Sequence, residues 1–335
     1  MEKPVVAVVG ATGAVGEEIL RCLEQRDTPV EQLRLLASAR SAGKQIHFKG
    51  TSITVDELTE DSFAGVDIAL FSIGSGVAEI FAPAAAAAGA TVIDNSSAFR
   101  MDDEVPLIIP EINPEDVKQV PKKIIANPNC TTIVTLIALN PLHQLFECQR
   151  LIASSYQAVS GSGAEGIAEL QRQVEAHVNG TPMESSIYPC QIAFNAIPQV
   201  EAILDNGYTK EEMKMQNETR KILHANGIKA SATCVRVPVF RSHSVSVTAQ
   251  FAHQPDLEAA RQAIINAPGI QLKDDREASI YPTTLDTTNG DDCYVGRIRK
   301  DIALERSLAF WVVGDQVRKG AALNAVQIAE LLIES

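Results

Sequence analysis

"VVAVVGATGAVGEEIL", residues 5–20, decides the fold class. An apolar, β-branched run reaches Gly10, and the helical pattern "AVGEEILRCLEQ" follows at once. Gly10, Gly13 and Gly16 stand at that strand-to-helix junction in a G-x-x-G-x-x-G spacing. Glycines there permit a tight turn and the close approach of a pyrophosphate, which rests on the unpaired N–H groups of the helix start. Thr12 takes the second glycine position of the commoner G-x-G-x-x-G form, so the motif alone also fits a turn kept for helix–strand packing.

Outward from this junction, strand-like runs recur at "QLRLLAS" (32–38), "VDIALFSI" (66–73), "ATVIDNS" (90–96) and "KIIANPN" (123–129), with the helical stretch "GVAEIFAPAAAAAGA" among them. Short apolar strands alternating with helices predict a doubly wound, Rossmann-type α/β domain over residues 1–129. Beyond it, strands lengthen and alternate in the antiparallel manner, as in "QRLIASSYQAVSG" and "SHSVSVTAQFAHQ". Residues 130–313 are therefore expected to form a mixed-sheet α+β catalytic domain. The last stretch, 314–335, reads as an amphipathic helix returning to the first domain. With 335 residues, two domains is the default expectation.

Composition narrows the partners. A net charge of -13 and a pI near 5.0 argue against nucleic acid or an anionic membrane surface. No apolar run reaches the ~20 residues of a membrane span. The opening "MEKPVVAVVG" enters a strand directly, unlike a secretion signal. Six dispersed cysteines lack metal-ligand spacing, so no metal is expected and a reducing cytoplasm fits best.

The end of the second strand speaks to the cofactor. An NAD reader usually carries an acid there for the ribose 2′-hydroxyl. The sequence instead has "LLASARSAGK", with Ser38, Arg40, Ser41 and Lys44. A cation with two hydroxyls suits a 2′-phosphate, which points to NADP(H).

"NPNCTTIV" (127–134) puts Cys130 directly ahead of an apolar helical pattern. An arbitrary cysteine is most often a small buried hydrophobe. The first turn of a helix, however, favours a thiolate, because its exposed N–H groups stabilise negative charge. The pattern switch at residue 129 is expected to bring this thiol to the crevice between the domains. Among the histidines, His243 shares the buried face of its strand with Val245, Val247, Ala249 and Phe251. "RVPVFRSHS" sets Arg236 and Arg241 within seven residues of it, and arginine is the natural partner of a carboxylate or phosphate.

Taken together, "GATGAVG", "RSAGK", "NSSAFRMDDEVPLIIPEIN", "NPNCTT", "YQAVSGSG" and "RVPVFRSHS" resemble the bacterial aspartate-semialdehyde dehydrogenase family, and the likeness runs on to "GDQVRKGAALN" near the end. The resemblance implies NADPH-dependent reductive dephosphorylation of L-aspartyl 4-phosphate to the semialdehyde and phosphate through a cysteine thioester. That step leads to lysine (through diaminopimelate), threonine, methionine and isoleucine. By the same resemblance, Cys130 is the nucleophile, His243 the general acid/base and Gln157 the group orienting the acyl intermediate. Arg236 is implied to grip the substrate carboxylate and Glu211 its ammonium. Arg100, Lys214 and Asn129 are implied to hold the phosphoryl group. The cofactor set would be Gly10, Ala11, Thr12, Gly13, Ala14, Val15 and Gly16, with Ser38, Arg40 and Ser41 at the 2′-phosphate and Ser160, Gly161 and Gln316 at the nicotinamide end. Gln316 stands where asparagine is expected, and Met213 where some relatives have an aromatic. A homodimer is implied, with the second domain's sheet at the interface. Two alternatives stay open: a sister acyl-phosphate reductase acting on N-acetylated glutamyl phosphate, and a non-catalytic NADP-binding sensor.

Overall fold

The computed structural model describes residues 3–334. It divides into two units: residues up to Asn129 with the segment from Ala321 onward, and Cys130–Gly320.

In the first unit the elements run β1 (Val5–Val9), α1 (Ala14–Gln25), β2 (Gln32–Ala37), β3 (Gln45–Phe48), β4 (Thr51–Glu57), β5 (Ile68–Phe71), α2 (Ser75–Ala87), β6 (Thr91–Asp94) and β7 (Ile124–Ala126). Their sheet has the order β3-β4-β2-β1-β5-β6-β7, parallel throughout except for the β3–β4 pair. Strands covered on both faces read as unbroken apolar runs, and Val6, Ala7, Val8 and Val9 are all buried, as are Ile68 to Phe71. Burying each such valine or leucine contributes roughly 1.5–3 kcal/mol. The strand order reverses between β2 and β5 across β1, the place where open α/β sheets bind ligands at their strand carboxyl ends.

The β3–β4 hairpin was not foreseen. It is polar and largely exposed, so the apolar signal is weak there. Its turn, Lys49–Gly50, has both residues at positive φ (45° and 78°), the backbone of a tight two-residue hairpin.

The second unit holds α3 (Cys130–Phe146), β8 (Cys148–Gln157), α4 (Gly163–Asn179), α5 (Lys210–Ile222), β9 (Lys229–Arg236), β10 (His243–Phe251), α6 (Leu257–Asn266), β11 (Ile270–Leu272), α7 (Thr284–Thr287), β12 (Cys293–Lys300) and β13 (Ser307–Gly314). Its sheet, β11-β12-β13-β10-β8-β9, is mixed: β8–β9 and β11–β12 are parallel and the other pairs antiparallel. Helices α3, α5 and α6 pack on it. Strand period explains the faces. Val245, Val247, Leu151 and Ala153 are buried, whereas Ile152 and Tyr156 are exposed and Trp311 is half-buried with its ring 5.4 Å from that of Tyr156.

The C-terminal return starts later than residue 314. β13 runs to Gly314, residues 315–320 group with the second unit, and α8 occupies Leu323–Glu334. The sheet keeps the chain until its last ladder partner, since Gly314 still pairs with His243. From α8, Glu330 binds Arg26 (2.6 Å) and Thr28 (2.9 Å), and Asn324 donates to Ile108 O and Asn127 Oδ1. No described helix is long and apolar enough to cross a membrane.

Candidate active site

The glycine loop explains itself residue by residue. Gly10 has φ 84°, and a methyl built on it would lie 2.2 Å from Ser72 O. A methyl on Gly16 would lie 2.1 Å from Gly10 O, so this glycine lets α1 sit on β1. Gly13 differs: nothing crowds it closer than 3.4 Å, and it is exposed at the start of α1. Two glycines thus serve packing, and the third leaves the helix start open, as a pyrophosphate requires. Ala11 is buried beneath the turn, with Ala14 exposed and Val15 half-buried in the first turn of α1. Thr12 Oγ1 donates to Ser41 Oγ at 3.2 Å, tying this loop to the segment after β2. There Ser38, Arg40 and Lys44 are exposed and Ser41 is buried. The open helix start can hold the pyrophosphate of a dinucleotide.

Also in the first unit, Arg100 is buried, its Nε donating to Asn127 O (2.9 Å) and Nη2 to Asn95 O (2.8 Å). Asn129 is buried as well.

In the second unit, Cys130 is the first residue of α3 and half-buried, its thiol 4.0 Å from Thr131 Oγ1. Cys22, Cys148, Cys234 and Cys293 are buried and Cys190 exposed. Burial pushes the Cys148 and Cys234 thiols up to about 12, which makes them inert.

Thr131 is one residue that sequence reasoning missed. Its hydroxyl accepts from Gln157 Nε2 (2.9 Å) and donates to Glu211 Oε1 (3.4 Å), while Gln157 Nε2 also donates to Glu211 at 3.0 Å. Three side chains from α3, β8 and α5 thereby meet beside the thiol. Glu211 Oε2 takes Lys214 Nζ at 3.1 Å, and Lys214 also binds the exposed Glu201 at 2.7 Å. Glu201 was missed too, because its loop carries no periodic signal.

His243 is fully buried at the start of β10. Ala158 N–H donates to its Nδ1 at 3.1 Å, which leaves the proton of the neutral ring on Nε2. Nε2 has no hydrogen-bond partner among the described residues. Burial, and then the Arg236 charge, push the imidazole down to about 3, against an opposing pull from Glu211. Arg236 is buried, with Nη1 donating to Ala158 O at 2.7 Å and its guanidinium 6.0 Å from the Tyr188 ring centre. Gly161 completes the cluster. A methyl there would stand 2.6 Å from Arg236 Nη1 and 3.4 Å from His243 Nε2.

The two arginines of "RVPVFRSHS" part company. Arg236 joins this cluster, whereas Arg241 Nε pairs with buried Asp315 at 2.6 Å. Gln316 is buried too. Its Oε1 accepts from Ser242 N–H (2.8 Å) and its Nε2 donates to Ser160 Oγ. No group of three or more metal-ligating side chains occurs among the described residues.

Comparisons with known proteins identify the family and the fold. A family model described as "Semialdehyde dehydrogenase, NAD binding domain" matches residues 5–120, and one described as "Semialdehyde dehydrogenase, dimerisation domain" matches residues 139–319. The chain is 51% identical to the aspartate-semialdehyde dehydrogenase of Aquifex aeolicus, over 98% of both chains. Among solved structures, aspartate semialdehyde dehydrogenase II of Vibrio cholerae, complexed with ASA, superposes with a TM-score of 0.97 at 45% identity, over 100% of this chain and 99% of the other. The Candida albicans enzyme with NADP superposes at 0.78 with 26% identity, over 98% of each.

Proposed function

Because the chain belongs to the aspartate-semialdehyde dehydrogenase family, we propose that it reduces L-aspartyl 4-phosphate to the semialdehyde, with NADPH as donor and release of phosphate. The step serves the amino-acid pathways from aspartate to lysine, threonine, methionine and isoleucine. One observation carries the choice of substrate: the buried Glu211 carboxylate, braced by Gln157, Thr131 and Lys214 within the cluster that follows the thiol. A buried anion is costly unless cations answer it. A free α-ammonium does so, and an acetylated amine does not.

The Cys130 thiolate attacks the acyl carbon, and the carbon–oxygen bond to phosphate breaks with its electron pair leaving on oxygen. Lys214 carries the departing charge, turning from Glu201, its exposed partner. Arg100 and Asn129 are assigned the same anion. Arg236 holds the substrate carboxylate, and Gln157 orients the thioester. NADPH, when bound, supplies the hydride for the thioester carbon. His243 Nε2–H then donates to the developing oxyanion, as a neutral imidazole held in one tautomer can. Collapse of that centre expels Cys130 as thiolate.

The glycine loop and Ser38–Ser41 support NADP(H), and Ser160, Gly161 and Gln316 are assigned to its nicotinamide end. Arg40→Ala is expected to raise the KM for NADPH about 10-fold or more through loss of the 2′-phosphate contact, with the KM for NADH unchanged. Equal effects on the two cofactors would refute the assignment. We assign a homodimer to the open sheet face carrying Ile152, Tyr156 and Trp311.

The direct test is phosphate-dependent NADP⁺ reduction with aspartate semialdehyde, repeated with N-acetylglutamate semialdehyde. Turnover of the first and not the second is the expected result. The reverse preference would transfer the chain to the sister reductase, and turnover of neither would leave a cofactor-binding protein.

A further inference from the structure

We propose that Gly320 is a positioning residue for the nucleophile, and that the Asp315–Gly320 turn sets the thiol and the imidazole relative to one another. The proposal rests on Cys130 being the nucleophile. Gly320 N–H donates to Asp315 O at 3.0 Å, a bond five residues long, and residues Arg318–Ala322 form a π-helical turn. Such single wide turns are uncommon and recur at functional sites. This one brings the Gly320 backbone onto the first residue of α3: a methyl built on Gly320 would lie 2.8 Å from Cys130 Cβ and 3.2 Å from its Cα. Backbone and Cβ atoms cannot swing aside as a flexible side-chain tip can. Any side chain at 320 therefore pushes the start of α3, and the thiol with it.

The same turn reaches the imidazole. Gln316 Oε1 accepts from Ser242 N–H, and Ser242 precedes His243 with φ 72°, a conformation that a serine holds only when its surroundings impose it. Gln316 Nε2 binds Ser160, whose neighbour Gly161 lies against Arg236 and His243. Buried Asp315 anchors the turn. Its Oδ1 accepts from Val317 and Arg318 N–H (3.0 and 3.1 Å), and its Oδ2 from Arg241 Nε and Asn289 N–H (2.6 and 2.7 Å). Six consecutive residues thus touch the nucleophile directly and the imidazole through its strained predecessor.

The test measures iodoacetamide modification of Cys130 in Gly320→Ala by peptide mapping, with exposed Cys190 as the internal reference and Gly227→Ala, whose added methyl meets open space, as the control. Gly320→Ala is expected to slow Cys130 alkylation and kcat together by about 100-fold, the loss typical of an ångström of misplacement. The Cys190 rate and the KM for NADP⁺ should stay near the parent values. Parent rates at Cys130 in this variant overturn the proposal. Should the variant not fold, Asp315→Asn must slow Cys130 alkylation, and an unchanged rate there overturns it equally. Slow alkylation of Cys130 in the parent protein itself would instead defeat the nucleophile assignment on which the proposal rests.

Discussion

A Cys130→Ser variant is expected to lose turnover by on the order of 10⁴–10⁶-fold, the range seen when a catalytic nucleophile is removed. The reason is chemical. A serine hydroxyl in the same place stays protonated at neutral pH and is a weak nucleophile unless a base activates it. His243 does not serve, because its Nδ1 lone pair is taken by Ala158 N–H and its Nε2 carries the proton. The substitution changes one atom in the first turn of α3, so NADPH binding and the melting temperature should be preserved. Residual turnover within tenfold of the parent would remove the thioester from the mechanism.

The second large effect concerns His243. His243→Asn is expected to lower kcat about 10²–10⁴-fold, the usual worth of a positioned proton donor, with the KM for semialdehyde changing little. Asparagine Oδ1 can still accept from Ala158 N–H, so the variant removes the Nε2–H donor and leaves the fold. Because the imidazole is pushed down to about 3, kcat/KM should show no inflection from this group between pH ~5 and ~8. An inflection near pH ~6.5 that vanishes in the variant would refute the neutral-donor role. Stability carries the same signature. The unfolded histidine binds its proton near its ordinary value of 6.5 and the folded one only near 3. Between those values the unfolded state holds more protons, so folding weakens as pH falls through that window. The variant lacks this group and should lose less stability on acidification.

How far the sequence could be read follows from how local each signal is. β1, β2, β5, β6 and β7 were legible because a doubly covered parallel sheet demands continuous apolar runs. The β3–β4 hairpin lies on an edge, where polar residues suffice, and it left no such trace. Gly13 and Gly16 were legible as a pair, yet only the packing shows that Gly16 serves the helix while Gly13 leaves open space. The site divides in the same way. Cys130 and His243 stood out through chemistry and strand face. Thr131 did not, since its role is a pair of bonds to residues 26 and 80 positions away. Gln316 was assigned to the cofactor, but its tie to Ser160, 156 positions distant, could not be foreseen. Asp315 and Gly320 were silent for that reason as well.

All of this depends on a covalent bond to one sulfur, and that bond can be seen. Aspartate semialdehyde and NADP⁺, mixed with the protein in the absence of phosphate, should give a burst of NADPH equal to the number of sites. Mass spectrometry should then find one aspartyl group on the peptide holding Cys130, released on adding phosphate. A burst with no adduct on that peptide, or an adduct on another cysteine, would contradict the account.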